Sequence, residues 1–127
     1  MTYKFKKLKA LCHCGSIRLN IVLDKPISKI IRCNCSICSK SKGFGMLCVP
    51  KDKVTVVEGF QSVTEYVFNT NEAPHFFCII CGTHTHHKSR NNPGKICVNV
   101  ACIDDFNIAD YRGVIQNFDG INHPRDS

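Results

Sequence analysis

"CNCSIC" (residues 33–38) puts three thiols into six positions, and its reading decides what kind of fold the chain can have. Three chemistries compete for such a loop: a disulfide framework, a redox pair with a spare thiol, or a metal ion gripped by one short turn. Cysteines one residue apart reach each other poorly as a disulfide. The surrounding chain, with 10 cysteines in 127 residues, has to decide between the other two.

A chain of this length is expected to form one domain over 1–127, burying roughly two thirds of its unfolded surface. The stretch "MTYKFKKLKALCHCG" (1–15) is charged and has no apolar run of signal-peptide length. No segment approaches the ~20 apolar residues of a membrane span. The expectation is a cytoplasmic protein, with the nucleus as alternative. Thiols there stay reduced, and clustered cysteines bind metal or react.

The formal charge is +7 with neutral thiols. Basic residues are spread along the chain, with one run at Lys4, Lys6, Lys7 and Lys9. Seven clustered thiolates (−7) and two zinc ions (+4) would bring the total to +4. Much of the basicity then balances anionic metal centres, and the case for a nucleic-acid partner weakens.

The texture is that of short strands separated by turn residues. Strands are expected at "IRLNIVL" (17–23), "ISKIIRC" (27–33), "GMLCVP" (45–50), "VTVVEG" (54–59), "VTEYVFN" (63–69) and "KICVNVACI" (95–103). The fourth and fifth read as a hairpin turning near Gly59 to Ser62. Short helical turns are expected at "SICSKSKG" (36–43) and "DDFNIADY" (104–111), the second capped by Asp104 or Asp105. No segment has the length of a major amphipathic helix. The expected fold is mainly β, with layered antiparallel sheets and metal sites at their margins.

Seven cysteines sit in tight groups. Cys12 and Cys14 form a C-x-C, Cys33, Cys35 and Cys38 a C-x-C-x-x-C, and Cys78 and Cys81 a C-x-x-C. Gly82 after the last pair gives it the shape of a zinc knuckle, whose turn aims backbone amides at the sulfurs. Cys48, Cys97 and Cys102 stand alone on apparent strands and read as small buried hydrophobes. Two closed tetrahedral zinc sites need eight ligands. Seven thiols make one closed four-thiol site and one three-thiol site with a vacancy, and a vacancy is how zinc does chemistry. The economical partition joins Cys12 and Cys14 to Cys78 and Cys81, leaving 33–38 to hold its own ion. A rival joins Cys35 and Cys38 to Cys78 and Cys81 as a ribbon and leaves Cys12, Cys14 and Cys33 over. His13, His84, His86 or His87 could complete a site. Simple alternation places His84 and His86 on one face of a strand and His87 on the other, near the metal without binding it.

"CHCG" (12–15), "CNCSIC" (33–38), "FCIICGTH" (77–84) and "VNVACIDD" (98–105), in that order, resemble the glutathione-dependent formaldehyde-activating enzyme family, which also includes the conserved domain of centromere protein V. The resemblance covers about residues 8 to 120. It implies a β-tent-like fold and two zinc ions. By position it implies a structural site at Cys12, Cys14, Cys78 and Cys81 and a catalytic one at Cys33, Cys35 and Cys38. It implies carbon–sulfur lyase chemistry, the reversible joining of glutathione and formaldehyde. Two departures stand out: "HTHHKS" (84–89) is polar where relatives are often aromatic or apolar, and His123 stands where they often carry tryptophan.

A zinc ion on three thiolates is a poor Lewis acid, and its natural fourth ligand is a visiting thiol whose pKa it lowers. Arg32, Lys40 and Lys42 flank the loop and are candidate partners for glutathione carboxylates. His84 is the candidate donor to the developing alkoxide. One alternative is a non-catalytic zinc module that binds a thiol metabolite, a protein or nucleic acid. A thiol redox enzyme is the other, and it requires Cys48, Cys97 or Cys102 to be exposed with a depressed pKa.

Overall fold

The computed structural model of the chain describes residues 6–68 and 73–123. Lys4 of the lysine run and Asn69, the end of the expected strand 63–69, lie outside the described residues. Ten strands are described: β1 (Lys6–Leu11), β2 (Arg18–Leu23), β3 (Lys29–Cys33), β4 (Met46–Pro50), β5 (Val54–Glu58), β6 (Val63–Tyr66), β7 (His75–Cys78), β8 (His84–Lys88), β9 (Lys95–Asn99) and β10 (Val114–Phe118). One helical turn, α1 (Cys38–Ser41), follows the 33–38 loop. Among the described residues no helix is long and apolar enough to cross a membrane.

The strands form two layers. One sheet has the order β1-β2-β5, and the other β10-β3-β4-β9-β8-β7-β6. Neighbours pair antiparallel except β10 and β3, which run parallel. The fold is mainly β, as the short alternating segments require.

Side-chain alternation sends one face of each strand into a common core. Leu19 and Ile21 of β2 pack with Ile30, Leu47, Val49 and Val98 of the larger sheet, and Ile17 and Val100 join them. Removing each such side chain from water contributes about 1.5–3 kcal/mol. The other face of the larger sheet is buried as well, by different chemistry. Ile31, Cys33, Met46, Cys48 and Cys97 face a second cluster containing Cys35, Ile37 and Cys38. Strand β9 is therefore covered on both sides, which explains its continuous apolar run.

Several expectations need correction. The segments β5 and β6 do not form a hairpin: β5 pairs with β2, and β6 pairs with β7 in the other sheet. At the corner Gly59 takes φ +89, and a side chain there would lie 2.1 Å from the Ser16 carbonyl oxygen. The 3-10 turn Phe60–Ser62 carries the chain across to the second layer. Strand β9 stops at Asn99, because the Asn99 side chain accepts from Ala101 N at 3.1 Å and starts the turn Val100–Cys102. In 104–111 the ordered turn is Ile108–Asp110, and its cap is Asn107 rather than Asp104 or Asp105. Cys48 and Cys97 are direct cross-strand partners and form a disulfide, so they are not separate buried thiols. Cys102 is free and buried.

Candidate metal centres and cavity

The first cluster is built by two tight turns. After β1 the chain reverses with Gly15 N donating to Cys12 O at 3.0 Å, and Ile17 N donates to Cys12 Sγ at 3.3 Å. After β7 it reverses again, with Gly82 N donating to Cys78 O at 2.8 Å. Ile80 N donates to Cys78 Sγ at 3.4 Å, as a knuckle demands. The two turns bring Cys12, Cys14, Cys78 and Cys81 together, all four sulfurs within 4.8 Å of one another. The Cys12–Cys14 and Cys14–Cys78 sulfur separations are 3.6 and 3.7 Å. A tetrahedron with Zn–S bonds of ~2.3 Å has edges of about 3.8 Å, so the donor set fits zinc. The Thr83 hydroxyl at 3.2 Å from its sulfur holds Cys81 down to about 5, towards the thiolate a metal requires.

The second cluster is Cys33, Cys35 and Cys38, whose sulfurs also lie within 4.8 Å of one another. Cys33 ends β3 and Cys38 begins α1, so strand end and helical turn present their thiols inwards from one loop. Cys38 N donates to Cys35 Sγ at 3.4 Å. Hydrogen bonding from the Cys33 thiol, then from Cys38, holds Cys35 down to about 2, while Cys33 and Cys38 are pushed up. The three sulfurs thus shift one another's proton affinity in opposite directions, a crowding that a cation relieves. Among the described residues no fourth His, Cys, Asp or Glu joins this group.

A cavity of about 550 Å³ opens beside the second cluster, lined by Cys33, Cys35 and Cys38 and by His75, His87 and His123. Lys29, Arg90 and Lys95 are among its walls. The segment that follows β10 holds the loop from outside. Asn34 accepts from Gly120 N at 2.7 Å and from Ile121 N at 3.1 Å, and donates to Asp119 at 3.2 Å. A side chain on Gly120 would stand 2.5 Å from Cys33 Sγ. Asn34 and Gly120 escaped the sequence reading. Their one signal is that Asn34 lies inside the cysteine motif, while Gly120 is 87 positions beyond Cys33 and only the parallel β10–β3 pairing brings it there.

The three expected cations separate. Lys40 is exposed; Arg32 is half-buried and donates to Phe44 O at 3.3 Å. Lys42 is buried, 3 % exposed, and its ammonium lies 3.2 Å from both ring nitrogens of His84. Arg32 and Lys42 line a smaller depression beside Cys33 rather than the main cavity. His13 is exposed and lies outside both thiol groups.

The histidines depart from simple alternation. β7 and β8 pair as His75↔His87, Phe76↔His86 and Phe77↔His84, skipping Thr85. This bulge shifts the pleat by one residue and puts His84 and His87 on the same face. His75 joins them, its ring 5.1 Å from His84 and 4.6 Å from His87. His86 is left opposite, stacked on Phe76 at 4.6 Å. Burial, then the neighbouring Lys42 charge, holds His84 down to about 2, so at neutral pH it is no imidazolium donor. Of the thiols the redox alternative requires, Cys102 is buried and burial pushes it up to about 11, while half-buried Cys48 and buried Cys97 are joined to each other as a disulfide at the cavity wall.

The comparisons with known proteins agree with this architecture. The model of the glutathione-dependent formaldehyde-activating enzyme family matches residues 7–118. A crystal structure of a Rhodobacter sphaeroides protein from a structural-genomics programme is 34 % identical and superposes with a TM-score of 0.76, covering 85 % of this chain and 99 % of that one. The family is zinc-associated and generally enzymatic, and both thiol clusters could hold zinc. With four ordered cysteine motifs on a two-layered β frame and a match over nearly its whole length, the chain belongs to the glutathione-dependent formaldehyde-activating enzyme family.

Proposed function

We propose that this chain is a carbon–sulfur lyase that reversibly joins a small thiol, glutathione first among the candidates, to formaldehyde in the cavity beside Cys33, Cys35 and Cys38. The observation that carries the reading is the contrast between the two thiol groups. Four sulfurs close the first, whereas three form the second at the wall of a cavity of about 550 Å³. A cavity of that size suits a tripeptide-sized ligand. Zinc bound by the three thiolates would supply one thing, a lowered pKa for the incoming thiol.

The chain's own groups account for the rest. Cys33, Cys35 and Cys38 hold the reacting end at the cavity wall. Lys29, Arg90 and Lys95 line the same cavity and match the two carboxylates of glutathione. Arg32 and Lys40 remain candidates for a carboxylate reaching over the rim. Lys42 is turned inwards, where burial pushes its ammonium down and the neighbouring thiol group partly restores it. In the step itself a carbon–sulfur bond forms at the formaldehyde carbon, and the thiol proton ends on the former carbonyl oxygen; cleavage is the reverse. Cys12, Cys14, Cys78 and Cys81 serve as the structural site.

Thiols add to formaldehyde unaided, so the test is a rate. Exchange between glutathione and S-(hydroxymethyl)glutathione, followed by NMR, should quicken in proportion to zinc-loaded protein and return to the spontaneous rate with Cys35→Ala. Equal rates at every protein concentration would refute the lyase and leave a thiol-binding zinc module.

A further inference from the structure

The bulge in β8 has gathered three imidazoles that the thiol chemistry does not use. His75, His84 and His87 are 4, 3 and 6 % exposed, and one ligand nitrogen from each lies within 4.8 Å of the others. His75 Nδ1 and His84 Nε2 are 3.2 Å apart. A tetrahedral ion with metal–nitrogen bonds of ~2.0–2.1 Å has edges of about 3.3 Å.

The two contacts of the Ser41 hydroxyl favour one tautomer of His84, although the Lys42 ammonium lies 3.2 Å from both of its ring nitrogens. The Ser41 hydroxyl donates its proton to Ile37 O at 2.7 Å, so at His84 its oxygen accepts from Nδ1–H. His84 Nε2 then carries the lone pair, aimed at His75. This is the arrangement of a ligating histidine, with the second ring nitrogen anchored by a neighbouring acceptor. His87 adds a second sign: its Nδ1 is buried with no hydrogen-bond partner, an arrangement that is rare unless something else satisfies the atom. His75 and His87 also line the cavity, so a fourth coordination position would face it.

We propose that His75, His84 and His87 form a metal site separate from both thiol clusters, for a borderline divalent cation of the zinc, cobalt or nickel class. Imidazole donors suit these ions, and three neutral ligands leave the ion its full double charge. Such an ion is a stronger Lewis acid than one held by three thiolates. Lys42 is the opposing element. Its ammonium stands 3.2 Å from His84 Nε2 and competes for the same lone pair. Metal binding displaces it, and its removal should tighten the site.

Cobalt titration of protein whose thiol sites are already filled with zinc separates the possibilities. The expected result is one further Co²⁺ per chain, with visible d–d absorption and no new thiolate-to-cobalt charge-transfer band. That equivalent should be lost in His87→Gln and in His75→Asn, retained in His86→Gln, whose ring faces the other way, and bound more tightly in Lys42→Met. No uptake by the wild type overturns the proposal, whatever Lys42→Met does, because Lys42 is then the resident cation. Uptake that survives in the combined His75→Asn and His87→Gln variant overturns it too.

Discussion

Losing the four-cysteine site should cost more stability than losing the three-cysteine site, and the difference can be worked from the chain path. Cys14 and Cys78 are 64 residues apart, so a metal there closes a long loop. Cys33 and Cys38 are five positions apart, so a metal there constrains little chain that the local turn does not already hold. Closure entropy grows as (3/2)RT ln n, which makes the first constraint worth about 2 kcal/mol more than the second. The first site also loses one more metal–thiolate bond's worth of cross-linking, and metal binding at such a site is folding free energy. Cys14→Ser and Cys35→Ser are the informative pair. Cys14 is exposed and Cys35 half-buried, so neither leaves a large core void. Guanidinium unfolding followed by circular dichroism, at one fixed excess of zinc, should place Cys14→Ser below Cys35→Ser by at least ~2 kcal/mol. Equal midpoints, or a less stable Cys35→Ser, would refute the assignment of structural weight to the sites.

Other perturbations reach different parts of the molecule. Gly120→Ala places a carbon 2.5 Å from Cys33 Sγ, so zinc retention at the three-cysteine loop should fall while the four-cysteine site keeps its ion, as metal analysis after mild chelation would read. Ile21→Ala empties a fully buried core position and should cost about 2–5 kcal/mol in the same unfolding assay. His86 is held down to about 4 by burial first, then by Lys42. A depressed histidine pKa means the unfolded chain binds the extra proton, so its contribution is present above the ordinary pKa near 6.5 and is lost as pH falls towards 4. Between pH 7 and 5 the wild type should therefore lose about 2 kcal/mol more than His86→Gln.

The cysteine motifs were legible because each is local, whereas the joining of Cys12 and Cys14 to Cys78 and Cys81 spans 64 positions and is set by the fold. Each motif carries its own turn, and counting donors separates a closed site from one with a vacancy before any strand is placed. The strands of strongest alternation were legible for the same reason. What the sequence hid was pairing between distant segments. The pairing of β5 with β2 rather than β6 depends on Gly59 lying against Ser16, a contact across 43 positions. The Cys48–Cys97 disulfide needs the register of β4 on β9. Strands β1, β7 and β10 went unnoticed, β7 because its four residues run into the knuckle, β1 and β10 because lysines and exposed positions mask their alternation: Val114 and Ile115 of β10 are both open to solvent. The caps at Asn99 and Asn107 were missed because nearby aspartates offered the same chemistry.

The bulge at Thr85 connects these observations to chemistry. Without it, His84 would share a face with His86, and the register that sets His87 opposite His75 would leave only two imidazoles together. With it, a continuous row crosses the outer face of the larger sheet, Cys48 beside Cys97, Cys97 beside His87, and His87 beside His75. His84, 3.2 Å from His75 at the end of that row, rests against Ser41 and Lys42, three and four positions after Cys38. The polar stretch 84–89 therefore falls in the wall next to the thiol cluster. Polar substitutions in a buried wall cost desolvation unless their groups are satisfied, and His87 Nδ1 is not. Replacing His87 alone by leucine should stabilise the metal-free chain, because it removes the one unsatisfied imidazole nitrogen and leaves the His84 partners of the buried Lys42 in place. Wild-type stability should exceed that of the apolar variant only when cobalt or zinc is supplied beyond the needs of the thiol sites, and thermal unfolding with and without the added ion would read that crossover directly.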